Sequence, residues 1–191
     1  MRRVTRALLA WLATALPPAS LAADFNVASL FESLAKQQPG RAAFTEKKFI
    51  SLLDRPVESS GELVFTPPDR IEKKTLLPKP ESVVVDRDSV TLERAGKRHT
   101  LRLRENPAVA VLVESIRGTL AGDLAALTRT YSVALDGAAP RWRLVLRPLD
   151  PALGTLVERV EITGAQVRVA SVEIFQADGD RSVMTLAPLA R

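Results

Sequence analysis

No cysteine occurs among the 191 residues, and His99 is the single histidine. Thiol chemistry, disulfides, a lipid attached through cysteine and a multi-histidine metal site are all excluded by that composition. A Ser-His-Asp arrangement would need His99 as its base, yet no G-x-S-x-G nucleophile elbow is present. Ser33-Leu34-Ala35-Lys36 matches the S-x-x-K string of penicillin-recognising enzymes without their partner motifs, and reads as helix surface. Asp86 and Asp88, like Asp178 and Asp180, sit in short turn signals, where aspartate is favoured for its own backbone hydrogen bonds. Gly96-Lys97 lacks the rest of a phosphate loop. No enzyme, metal or cofactor is expected from this set.

Long hydrophobic runs are also scarce. The run from Ala7 to Leu16 follows Arg2, Arg3 and Arg6, is ended by Pro17-Pro18, and leads to the small residues of Ser20-Leu21-Ala22. A membrane-spanning helix needs roughly 20 apolar residues, about twice this run. Residues 1–22 therefore read as a cleavable signal peptide, and residues 23–191 as one exported domain. The periplasm is the expected location, with no lipid anchor. The whole chain carries 27 basic and 22 acidic side chains, net +5. Without the three leader arginines it has 24 against 22, net +2. That balance describes a mixed-charge surface, and no nucleic-acid-binding motif accompanies it.

The apolar periodicity divides the domain. Phe25, Val27, Leu30, Phe31 and Leu34 recur at helical steps, with Asp24 or Asn26 as cap and Pro39-Gly40 as terminator. A period of two follows. Strands are predicted at Phe44–Leu53, Gly61–Phe65, Val83–Val85, Val90–Leu92 and His99–Arg104. Asn106-Pro107 opens a second helix with an apolar stripe of Ala108, Val109, Leu112, Val113 and Ile116. Gly118–Gly122 is expected to interrupt it before a short piece capped by Asp123. Strands resume at Tyr131–Leu135, Trp142–Leu146, Val157–Thr163, Val167–Phe175 and Ser182–Leu186, with a loop over Pro148–Gly154. About ten short antiparallel strands must curl to hide one face. The expected class is mainly β with α (α+β): an unclosed, strongly curved antiparallel β-barrel with an N-terminal helix and a helical lid.

The order of these features resembles that of the periplasmic outer-membrane lipoprotein carrier family, LolA and its relatives. The resemblance rests on Phe44-Thr45-Glu46-Lys47, on Gly61-Glu62-Leu63-Val64-Phe65 leading into Pro67-Pro68-Asp69-Arg70-Ile71, on Ser82–Asp86, and on the helix opened by Asn106-Pro107. It implies an apolar interior that receives lipoprotein acyl chains from an inner-membrane transporter and passes them to an outer-membrane acceptor. The family's arginine before the proline that ends the second strand is replaced here by Pro67, with Arg70 as a displaced substitute. Ile71 stands where the family has an aromatic, and Asp86-Arg87 where it has Asp-Gly. These departures leave the cargo open between lipoproteins and another acylated or polyene lipid.

The residues expected to line the cavity or its lid are Leu63, Phe65, Ile71, Val85, Leu92, Leu101, Leu103, Val109, Leu112, Val113, Ile116, Trp142 and Leu144. Arg70, Lys73, Lys74, Lys97 and Arg98 form a candidate docking group for an acidic partner or anionic headgroups, or else a solvated face. A monomer without nucleic-acid partners is expected. The alternative is a non-catalytic envelope assembly or interaction module whose β core is simply filled.

Overall fold

The computed structural model describes residues 25–37 and 39–189; the expected leader and the candidate cap Asp24 lie outside them. Four α-helices occur among the described residues: α1 (Val27–Leu34), α2 (Pro107–Ala121), α3 (Leu124–Thr130) and α4 (Pro151–Gly154). The first six strands are β1 (Gly40–Phe49), β2 (Val57–Thr66), β3 (Arg70–Leu77), β4 (Glu81–Asp86), β5 (Ser89–Arg94) and β6 (Lys97–Arg102). The last five are β7 (Tyr131–Ala138), β8 (Arg141–Pro148), β9 (Val157–Ala165), β10 (Arg168–Gln176) and β11 (Arg181–Pro188).

All eleven strands form one antiparallel sheet in the order β6-β5-β4-β3-β2-β1-β11-β10-β9-β8-β7. Two meanders are thus joined where β1 pairs with β11, with Phe44 opposite Leu186 and Glu46 opposite Met184. The two edges, β6 and β7, do not pair, so the barrel is unclosed. The chain crosses between those edges through a 3₁₀ turn (Leu103–Glu105), α2 and α3. That crossing is what lays α2 over the concave face.

Local chemistry accounts for the helices. Asn26 caps α1 by accepting from the Ser29 amide at 3.0 Å, and the Ser29 hydroxyl accepts in return from the Asn26 amide. Pro107 occupies the first turn of α2, where its missing N–H costs nothing. The interruption expected over Gly118–Gly122 falls at the last of these residues rather than the first. The helix runs on to Ala121 and ends at Gly122, whose φ of +67° is a left-handed cap. Gly118 is a contact instead, since a β-carbon there would lie 2.7 Å from Leu127 Cγ of α3. Asp123 caps α3 through the Ala126 amide, at 2.8 Å.

Four further boundaries differ from expectation. Strand β3 was missing from the periodicity because Glu72-Lys73-Lys74 breaks the apolar alternation, although Ile71 and Thr75 are buried. Strand β1 ends at Phe49 rather than Leu53, and Leu52, 91% exposed, lies in the following turn. The strand expected to reach Arg104 ends at Arg102, because Leu103 turns under α2 and is buried. The loop after Pro148 contains α4, capped by Asp150.

The concave side holds two apolar clusters. Leu30, Phe31 and Leu34 of α1 and Leu127 of α3 pack with Tyr131, Trp142, Leu144, Leu146, Val160 and Ile162. Around Trp142, Leu144 and Leu146 this half is filled, while Ile162 and Val172 of the same cluster border open space. Trp142 is 1% exposed and donates from Nε1 to the Gln166 carbonyl at 2.9 Å. Phe65, Ile71, Val85, Val90 and Leu103 form the second cluster, beneath Val109, Val113 and Leu120 of α2. The convex side carries paired charge, as in Arg143–Glu161–Arg159 and Glu173–Arg181. One face is apolar and the other wet, the alternation that the strands predicted.

Candidate functional site: a cavity between the sheet and helix α2

The two clusters share Ile116 of α2, which packs against both. Between them lies a cavity of about 310 Å³. Its floor comprises Leu63, Ile71, Val83 and Val85 on one side, and Ile162, Val169, Val172, Ile174, Met184 and Leu186 on the other. Helix α2 roofs it with Leu112, Val113, Ile116, Thr119 and Leu120. The Thr119 hydroxyl is spent on the Ser115 carbonyl, at 2.7 Å, so it offers no unmet donor to the interior. A second hollow, of about 460 Å³, shares Leu63, Leu120, Val169 and Leu186 with the first and extends past Phe65 towards Arg41 and Arg168.

The roof is anchored from three directions. Tyr131, buried on β7, donates its hydroxyl to the Val111 carbonyl in the middle of α2. Burial pushes that phenol well above the usual tyrosine range, the nearby Glu114 carboxylate adding to the rise and a hydrogen bond with Ser115 opposing it. The Arg117 guanidinium donates to the Arg87 carbonyl at 2.6 Å. Gly122 lies against α1, where a β-carbon would come within 2.3 Å of the Ala35 nitrogen.

One end of the cavity is charged. Glu46 is 6% exposed and accepts from Lys73 Nζ at 2.5 Å, from the Ser182 hydroxyl at 2.8 Å and from the Ser59 hydroxyl at 3.3 Å. Lys73 Nζ also lies 4.9 Å from the Phe44 ring centroid. Lys48 Nζ is 3.9 Å from the same carboxylate. Burial is the strongest single influence on Glu46 and raises its pKa. The hydrogen bond and charge of Lys73, the charge of Lys48 and the Ser182 hydroxyl together outweigh it and hold the carboxyl below the ordinary value.

Of the residues expected to line the cavity, Leu63, Ile71, Val85, Leu112, Val113 and Ile116 do so. Phe65 lines the adjoining hollow with Leu63. Leu103 and Val109 pack in the second cluster, and Trp142 and Leu144 belong to the filled part of the first. Leu92 is half-buried, and Leu101, on edge strand β6, is 42% exposed. The candidate docking group divides between the two sides of the sheet. Register places Lys73 and Lys97 on the concave face, while Arg70, Lys74 and Arg98 share the convex one with Glu62 and Glu93. Arg70 is paired with Asp86 and Glu72, and Arg98 with Glu93.

Sequence reasoning missed Glu46, Lys48 and the β10–β11 wall of Val172, Ile174, Met184 and Leu186. Their period-two spacing placed each pair on one face, but only the pairing of β1 with β11 brings that face opposite Leu63. Gly61 gains a physical reason as well. At the β-bulge between β2 and β3, a β-carbon there would fall 2.0 Å from the Lys74 carbonyl oxygen.

The architecture is thus an open antiparallel sheet with an apolar cavity beneath a helical roof. The chain belongs to the family described as outer membrane lipoprotein carrier protein LolA-like, whose pattern matches residues 15–191. No curated protein matches it in sequence. Among solved structures, a LolA superfamily protein from Nitrosomonas europaea is similar at 11% identity, with a TM-score of 0.48, covering 88% of this chain and 95% of that one. A putative outer membrane lipoprotein-sorting protein domain from Vibrio parahaemolyticus is similar at 9% identity and a TM-score of 0.44, covering 86% and 90%. LprF from Mycobacterium bovis is similar at 12% identity and a TM-score of 0.35, covering 86% and 94%.

Proposed function

We infer that this protein is a periplasmic carrier. It binds acyl chains of lipoproteins, or of another lipid, in the cavity between the sheet and α2, and shuttles them from the inner to the outer membrane. The observation that carries this reading is the cavity itself, about 310 Å³ bounded mainly by aliphatic side chains in a chain of the lipoprotein-carrier family. Protein interiors are normally filled to crystal-like density, so an apolar void of this size is a feature to be explained. Each CH₂ removed from water contributes roughly 0.8 kcal/mol, so a chain that must cross water gains from such a shelter. The lining is aliphatic and lacks strong polar anchors along most of its length, which keeps retention modest and transfer to a better host possible. An inner-membrane transporter as donor and an outer-membrane acceptor complete the reading.

Native mass spectrometry of protein purified from the periplasm, followed by lipid extraction, tests it. Co-purifying lipid and saturable uptake of an acyl probe are expected. Protein that is consistently empty and takes up no probe at micromolar concentration overturns the reading and favours a non-catalytic envelope interaction module.

A further inference from the structure

The concave face is not uniformly apolar, and its polarity changes in one direction. Register aligns three successive rows across β2–β6. The first, Phe65-Ile71-Val85-Val90-Leu101, is wholly apolar. The second, Leu63-Lys73-Val83-Leu92-His99, contains one lysine. The third, Gly61-Thr75-Glu81-Arg94-Lys97, is polar or charged beyond its glycine. On β1 the same face runs Ala42, Phe44, Glu46, Lys48 in the same direction. The gradient ends at the mouth where Glu46, Lys48, Lys73 and Glu81 border both the cavity and a shallower surface hollow that adds Lys79 and Arg94.

That mouth carries four cations and two carboxylates. Both carboxylates are committed. Glu46 is neutralised by Lys73 and two serine hydroxyls, and Glu81 lies 3.7 Å from Arg94. Lys48 is 52% exposed and its closest acid is 3.9 Å away. A further hollow on the other side of Lys48 adds one acid and one base, Asp180 and Arg181, and leaves the balance positive. Cationic donors therefore remain at the end of an apolar chamber.

We propose that the cavity takes an amphiphile in one fixed orientation, with its tail beneath α2 and an anionic head, phosphate or carboxylate, held at the mouth by Lys48, beside the Glu46–Lys73 pair. This assignment rests on the carrier reading and adds the class and polarity of the ligand. On the scale by which a cavity of about 150 Å³ holds benzene, this chamber accommodates roughly a dozen carbons, one medium-length tail. Headgroup binding would then fix which end of the cargo leaves first.

The test is displacement of a bound acyl fluorophore from the full mature protein by ligands that share one C12 tail: dodecyl phosphate, dodecanoate, dodecanol and dodecyltrimethylammonium. Dodecyl phosphate and dodecanoate are expected to bind about tenfold more tightly than dodecanol, the factor of one charge-assisted hydrogen bond. That margin should shrink with added salt. Lys48→Gln removes an exposed lysine without stranding a buried charge, and should cut the margin several-fold while leaving dodecanol unchanged. Equal affinity for the anionic and neutral ligands, or a preference for the ammonium, overturns the proposal yet leaves the carrier reading standing. Failure of all four to bind removes both. Displacement by inorganic phosphate alone also overturns it, because the site would then need no tail.

Discussion

Replacing Lys73 by methionine isolates the charged end of the cavity. Methionine keeps the length and the apolar stem but removes the ammonium from Glu46, whose side chain is 7% exposed, while that of Lys73 is 20% exposed. Removing one partner of a buried pair costs about 3–5 kcal/mol. Here Ser182, Ser59 and the more distant Lys48 still face the carboxylate. The expected loss is therefore smaller, about 2–3 kcal/mol near pH 7. With a urea slope of about 2 kcal/mol per molar, the unfolding midpoint falls by about 1–1.5 M. Fluorescence of the buried Trp142 reports the transition.

The pH dependence distinguishes a lost ion pair from lost packing. In the parent protein the Glu46 pKa is lowered on folding, so its stabilisation is complete above the ordinary carboxylate pKa. That stabilisation fades as the pH falls through the lowered value. Without Lys73, burial becomes the dominant influence and raises the pKa, so the variant is penalised at neutral pH and relieved in acid. The gap between the two proteins should be widest near pH 7, narrow in acid, and close only once the pH falls below the lowered Glu46 pKa. Glu46→Gln added to Lys73→Met should recover part of the loss at neutral pH. A loss that is the same at pH 7 and in acid, or below about 0.5 kcal/mol at pH 7, would refute the reasoning.

Three other outcomes are expected. Leu112→Glu places a carboxylate in the cavity roof and should abolish acyl-probe binding with secretion intact; unchanged binding removes α2 from the site. Gly122→Ala combines a φ of +67° with a β-carbon 2.3 Å from the Ala35 nitrogen, whereas Gly96→Ala has a similar φ of +73° in open space. The first should cost about 3 kcal/mol or more and the second about 1 kcal/mol in urea unfolding; equal costs would refute the jammed α1–α2 contact. Tyr131 is the single tyrosine, and burial holds its phenol above the usual range. Stability from its neutral form is complete below about pH 10 and lost as the pH climbs beyond it. Tyrosinate absorbance at 295 nm should thus appear together with alkaline unfolding; gradual ionisation of folded protein would contradict the buried hydroxyl.

Alternation, turn residues and the Asn106-Pro107 start carried much of the architecture in the sequence itself. They determined an antiparallel β protein with an N-terminal helix and an apolar helix crossing its middle, because period and capping are local properties of the chain. Leu112, Val113 and Ile116 were legible as the stripe that roofs the cavity, since three- and four-residue steps place them on one side of a helix. The break expected over Gly118–Gly122 was placed too early at Gly118, because the sequence does not reveal that a neighbouring helix needs the space of its missing side chain. Strand β3 was hidden by its charges, and only the folded sheet shows that Lys73 points inward to neutralise Glu46, 27 residues away in the chain.

The same limit applies to the apolar residues. Leu144 and Leu63 are both leucines on alternating strands, yet one is sealed beneath α1 and α3 while the other faces the cavity. Periodicity tells which face a side chain takes; what lies opposite that face depends on strand order and on which helix covers it. The pairing of β1 with β11, between segments about 140 residues apart, joins the two halves of the floor. Whether a face is filled or left open is a balance of volumes summed over distant segments, and that sum exists only once the chain has folded.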